Sequence, residues 1–104
     1  MNEYHLDPPF SITELLTLLS LKNLPQNGYR LERNVLNITL GYHHFGRATV
    51  YKTLKRLQHQ GYVARLEGGL YSNSGIYDLT QKGELRLKNE IRLLRQLVSV
   101  YDYR

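Results

Sequence analysis

A chain of 104 residues, 41% apolar and 22% charged, has the make-up of one small folded domain with a modest core. No apolar run approaches the roughly 20 residues of a membrane span, and zero cysteines exclude disulfides, thiolate zinc sites and cysteine nucleophiles. A net charge of +5 favours an anionic partner, nucleic acid first, and a start (MNEYHLDPPF) without the basic and apolar segments of a secretory leader makes the cytoplasm the expected place.

Residues 1–10 are expected to be an extended arm, because Pro8 and Pro9 bar helix there. Ser11 then reads as an N-cap, with Glu14 at capping-box spacing. Ile12, Leu15, Leu16, Leu18, Leu19 and Leu21 make the following helix apolar around much of its girth, so it is expected at the centre of the core. The cluster Asn23-Leu-Pro-Gln-Asn-Gly28 reads as a turn. A second helix is expected over Tyr29–Leu40, burying Leu31, Val35 and Ile38 with Leu36 beside them and ending at Gly41. Arg30, Glu32, Arg33 and Asn37 fall outside that stripe.

Phe45 to Val63 carries the most distinctive pattern. At about 100° per residue, Val50, Leu54 and Leu57 share one narrow stripe with Tyr51 at its margin. Thr49, Lys52, Lys55, Arg56 and His59 lie opposite, with no acidic residue among them. Surface helices usually mix charge signs, often as Glu–Lys pairs four apart. Positive charge and hydroxyls alone suit a helix lying against phosphates, and the expectation is a DNA recognition helix at about 46–60.

After Gly61 the period changes. Tyr62–Leu66 and Ile76–Leu79 read as two strands, with Gly69–Tyr71 extending the first and Ser72–Gly75 as the turn of a β-hairpin. Thr80 reads as the N-cap of a final helix running nearly to Arg104. In it Leu87, Ile91, Leu94, Val98 and Tyr101 are spaced 4, 3, 4, 3, a heptad seam read as a surface for self-association, packing on the domain's own core being the alternative.

Helix, helix, helix, strand, wing, strand, long helix is the order of a winged helix-turn-helix with an added C-terminal dimerisation helix, a fold that is mainly α with a small β-hairpin. The expected division is an arm at 1–10, the winged domain at 11–79 and the dimerisation helix at 80–104. Arg47-Ala-Thr-Val-Tyr-Lys-Thr-Leu-Lys-Arg-Leu57, followed by Gly61-Tyr62-Val63, resembles the recognition-helix stretch of PadR-like regulators. Tyr77-Asp-Leu-Thr-Gln-Lys-Gly83 resembles the same family's Y-x-L-T-x-K-G at the end of the wing. The run Ala48–Leu54 also resembles ferric-uptake-type repressors, but their His/Cys metal sites and mixed α/β dimerisation domain have no counterpart in the sequence.

The PadR-like resemblance implies a homodimer on a two-fold-related site in double-stranded DNA, one recognition helix per subunit in successive major grooves. It further implies a transcriptional repressor, and for some members release by a small-molecule effector. Plasmid partition or replication control, and a winged-helix protein-interaction module, remain alternatives. Expected DNA contacts are Arg47 and Thr49 at the helix start, then Lys52, Thr53, Lys55 and Arg56. The wing departs from the usual pattern, since Glu67 to Gly75 contains no Arg or Lys to enter a minor groove. Histidines 5, 43, 44 and 59 lack ligand spacing, and no phosphate-binding loop or carboxylate pair stands out, so no metal, cofactor or enzymatic activity is expected.

Overall fold

The computed structural model describes residues 10–66 and 75–103. The expected arm, apart from Phe10, and the wing from Glu67 to Ser74 lie outside them. The elements run α1 (Ile12–Asn23), β1 (Gln26–Asn27), α2 (Gly28–Ile38), α3 (Arg47–His59), β2 (Val63–Leu66), β3 (Ile76–Leu79) and α4 (Gln81–Asp102). This is a mainly helical winged helix-turn-helix with a long C-terminal helix.

α1 begins as the spacing predicts. The Glu14 amide donates to Ser11 Oγ and the Ser11 amide to Glu14 Oε1, closing a capping box. Leu18 and Leu21 bury completely with Leu31, Val50, Leu54, Leu57, Tyr62, Val63, Tyr77 and Leu87, so α1 is the element the others pack around. Its first residue, Ile12, is exposed, being a full turn away from the core contacts.

The sheet has three strands, not the expected two, in the order β1-β3-β2. The supposed turn at residues 23–28 contains a two-residue strand, with Gln26 opposite Tyr77 and Asn27 opposite Ile76. Gln26 is buried, its amide donating to the Ser20 and Leu24 carbonyls and its Oε1 accepting from Asn34. A buried polar side chain with every group paired holds its place where an unpaired one is expelled.

α2 starts one residue earlier than expected, capped by the Asn27 side chain on the Arg30 amide, and ends at Ile38. Leu31 and Val35 are buried, but Ile38 and Leu36 are exposed because the helix finishes before that side reaches another element. The left-handed residue that turns the chain is Leu40 (φ 54°), with Gly41 (φ 85°) after it donating back to the Leu36 carbonyl. Glycine is therefore one position late for the cap.

α4 is fastened at its first turn. Thr80 Oγ1 accepts from the Gly83 amide and donates to the Gly61 carbonyl, while the Thr80 amide donates to Tyr62 O. A Cβ on Gly83 would lie 2.0 Å from Tyr62 O, so that contact requires glycine. One turn on, Arg86 donates to Glu90 and to the Tyr62 hydroxyl and lies over the Phe10 ring. Among the described residues no helix is long and apolar enough to cross a membrane.

Candidate nucleic-acid interface

α3 owes its orientation to its apolar stripe. Val50, Leu54 and Leu57 are buried to 1% exposure or less, which turns Ala48, Thr49, Lys52, Lys55, Arg56 and His59 outward. Four of these carry positive charge or can acquire it, and α3 contains no acidic residue. Its last turn is basic, which also suits the negative end of the helix dipole.

Thr53 is a correction. It is 1% exposed and its hydroxyl donates to the Thr49 carbonyl one turn back, so it belongs to the core side of α3 and not to a DNA-facing surface. Thr53 lies about 60° from Val50 around the helix, at the edge of the buried stripe.

The two arginines at the flanks are held by partners that the sequence did not disclose. Arg47, the first residue of α3, lies 5.1 Å from the Tyr29 ring centroid and 3.7 Å from Glu32 Oε1. Arg56 Nε donates to Glu14 Oε2 at 3.0 Å. Glu14 is mostly buried, its other oxygen engaged by the Ser11 amide. Burial pushes the Glu14 carboxyl up, but the Ser11 amide and the Arg56 guanidinium outweigh it and hold the group below its ordinary range. Arg56, with about half its side chain exposed, is thus positioned from α1 while still facing solvent. Lys52 and Lys55 are exposed between these two held guanidiniums.

A second surface lies on α4. Leu87 is buried in the chain's own core and Ile91 packs against it, which removes Leu87 from the expected partner-facing seam. The cause is the Gly83 contact, which presses the first two turns of α4 onto the sheet and α1. Beyond them Leu94, Val98 and Tyr101 are exposed, and so are Leu93, Leu97 and Val100, a parallel row that the heptad reading passed over. Those three are themselves spaced 4 and 3, and that was the available signal. Among the described residues no group of His, Asp or Glu could hold a metal ion.

Residues 15–89 match the transcriptional regulator PadR-like family. No curated protein matches the chain. Among solved structures, a transcriptional regulator from Clostridium thermocellum is similar at 20% identity and a TM-score of 0.75, over 88% of this chain and 87% of that one. A PadR family transcription regulator from Clostridium difficile R20291 is similar at 18% identity and TM-score 0.73, over 89% and 97%. Bacillus subtilis PadR in complex with operator DNA is similar at 18% identity and TM-score 0.67, over 78% of this chain and 47% of that one. At these identities the solved structures bear on the fold.

Proposed function

The chain belongs to the PadR-like family of transcriptional regulators, and from that membership we propose that it is a homodimeric, sequence-specific DNA-binding protein that represses transcription from the cytoplasm. One observation carries the reading: the exposed face of α3 is, Ala48 apart, cationic and polar with no acid, and its buried face is fixed in the core. Such a face supplies two things at once. Lys52, Lys55 and Arg56 offer charge to phosphates, and Arg47 and Thr49 at the helix start are where a recognition helix presents side chains to base edges. A guanidinium pairs bidentately with guanine, and the Tyr29 and Glu32 contacts keep Arg47 ordered in advance.

The exposed half of α4 supports a dimer. Two copies joined there would carry two α3 helices to half-sites about 34 Å apart, one DNA turn. The operator-bound neighbour supports the same mode of use for this fold. Repression would then result from occupying a site that transcription needs.

The test is selection of bound duplexes from a random pool at low and near-physiological salt. An inverted repeat enriched at both salts is the expected outcome. Binding without an enriched sequence would overturn specific recognition, and no binding at either salt would overturn the DNA-binding reading altogether.

A further inference from the structure

Arg47 opens α3 at the positive end of the helix dipole, where a cation is disfavoured, and the first turn of α3 holds no acid to offset it. The missing negative charge comes from α2. Tyr29 and Glu32 are three residues apart, so they share one face of that helix, and both meet Arg47. The guanidinium carbon lies 5.1 Å from the centre of the Tyr29 ring, within cation–π range. Glu32 meets the Nε edge, with Oε1 at 3.7 Å. Its other oxygen lies 3.6 Å from His44 Nε2, in the link that leads into α3. One carboxylate therefore stands between the residues on either side of Phe45-Gly46, where α3 begins.

Two features mark this contact as an open one. Neither distance is that of a hydrogen bond, which for a charged N–H···O pair is about 2.7–2.9 Å. Glu32 Oε1 is also buried without accepting a hydrogen bond, a costly state that one donor relieves, and Arg47 Nε is the donor placed to relieve it. The two side chains differ in depth, that of Glu32 being 21% exposed and that of Arg47 61%. The acid is recessed, and the guanidinium reaches past it to solvent. With Nε turned to Glu32, the two terminal nitrogens are left for an outside acceptor. Those two together fit the O6 and N7 edge of guanine.

We infer that Glu32 is a specificity-determining residue that touches no base itself and acts by holding the Arg47 guanidinium so that its terminal pair is aimed at one guanine in the major groove. This deepens the DNA-binding reading above and rests on it. An unheld arginine turns between phosphate and base contacts, and phosphate contacts carry no sequence information. One held at Nε on its edge and by a ring on its face has a single plane to offer, and the planar fork makes that plane selective. Holding it beforehand also removes an ordering cost from the binding step. Tyr29 sets the plane and Glu32 the direction. The acid has a second consequence. As negative charge beside a polyanion it weakens every mode of binding that does not use Arg47 in this way, and so acts against unspecific contacts.

The test is selection of bound duplexes by the full-length wild type, Glu32→Ala, Glu32→Gln and Arg47→Ala, followed by affinities on the selected duplex, on single-base variants of it and on a scrambled one. Arg47→Ala should abolish the enrichment of one guanine in each half-site, which identifies the base. Glu32→Ala should lower the preference for guanine over adenine at that same position about 10-fold, within the range of one bidentate pair. Preferences elsewhere should be unchanged, and the scrambled duplex should bind at least as tightly as to the wild type. Glu32→Gln should lower the preference about 3-fold, since a neutral acceptor makes roughly half the bond of a charged one. Where the melting curve shows Glu32→Ala unfolded, the glutamine variant decides on the same readout. An undiminished guanine preference in the Glu32 variants overturns the inference and leaves Arg47 as the reader. A preference lost equally at every position overturns it too, and assigns Glu32 to the build of the domain. An unchanged selected sequence in Arg47→Ala removes the role of both residues while DNA binding stands. A wild type that enriches no sequence overturns the reading on which the inference rests.

Discussion

Leu40 stands in the left-handed region at φ 54° with 87% of its surface exposed. For an L residue other than glycine that conformation costs about 1–2 kcal/mol, and so exposed a leucine recovers almost nothing by burial. The position is the one after a helix C-cap, where glycine is favoured. Leu40→Gly should remove the strain and lose part of the gain to the greater chain entropy of glycine, about 0.5–1 kcal/mol. The expected net effect is a stabilisation of about 0.5–1 kcal/mol, read as a rise of roughly 3–6 °C in Tm. Leu40→Ala, which keeps the Cβ, should show no comparable rise. A lower Tm for the glycine variant would mean that Leu40 makes a contact in solution that outweighs its strain.

Between elements, the clamp from α1 to α3 is electrostatic and therefore depends on pH. Glu14 holds Arg56 of α3 while capping α1, and its carboxyl sits below its ordinary value of 4.5. A carboxyl depressed in the folded state stabilises fully above the unfolded value and loses that contribution as pH falls through the folded one. Glu14→Gln should cost about 1 kcal/mol near neutrality, an amount held down by the half-exposed arginine and its screening. The cost should shrink as Glu14 protonates, so the gap between urea melts of the two proteins at pH 7 should narrow steadily as the pH is taken down through and below 4.5. A constant gap would assign the loss to packing. The same clamp shows what a sequence discloses and what it conceals. The stripe Val50, Leu54, Leu57 and the caps Ser11 and Thr80 were legible because helical period and capping are local, set by residues three or four apart. The Glu14–Arg56 bond spans 42 positions, and nothing local marks it. β1 was hidden for a related reason: two polar residues have no period, and Gln26 is buried only because Ser20, Leu24 and Asn34 take up its amide. Thr53 was assigned outward by residue type, whereas it is buried with its hydroxyl bonded to the Thr49 carbonyl. Even the glycine in the Y-x-L-T-x-K-G stretch gained its reason only in three dimensions, where Gly83 meets the Tyr62 carbonyl.

At the scale of the molecule, the two halves of α4 meet different surroundings, and the proposed dimer rests on the second half. Its 22 residues extend about 33 Å, and the first turns are spent on the chain's own core through Gly83 and Leu87. The remainder exposes Leu93, Leu94, Leu97, Val98, Val100 and Tyr101 on adjoining rows. A continuous apolar surface of that kind is characteristic of an interaction site. At about 1 kcal/mol for each half-exposed side chain, two copies would gain on the order of 12 kcal/mol. That is comparable with the 4–15 kcal/mol that association costs, so α4 alone makes a marginal dimer. The trough between α1 and α4, where Leu19 and Ile91 lie among charged side chains such as Lys22, Glu84 and Arg95, is the adjacent surface able to add to it. Leu94→Asp/Val98→Asp should then sediment as a monomer at concentrations where the wild type is a dimer. Its far-ultraviolet dichroism should be unchanged, since Leu87 and Ile91 still dock the helix. The wild type's Tm should rise with protein concentration and the variant's should not. Affinity for a two-half-site operator should fall at least 100-fold, the loss expected when two linked contacts become one, while binding to a single half-site should persist. A wild type that sediments as a monomer well above the concentration at which it binds the operator would refute the dimer and require α3 to recognise its site one copy at a time.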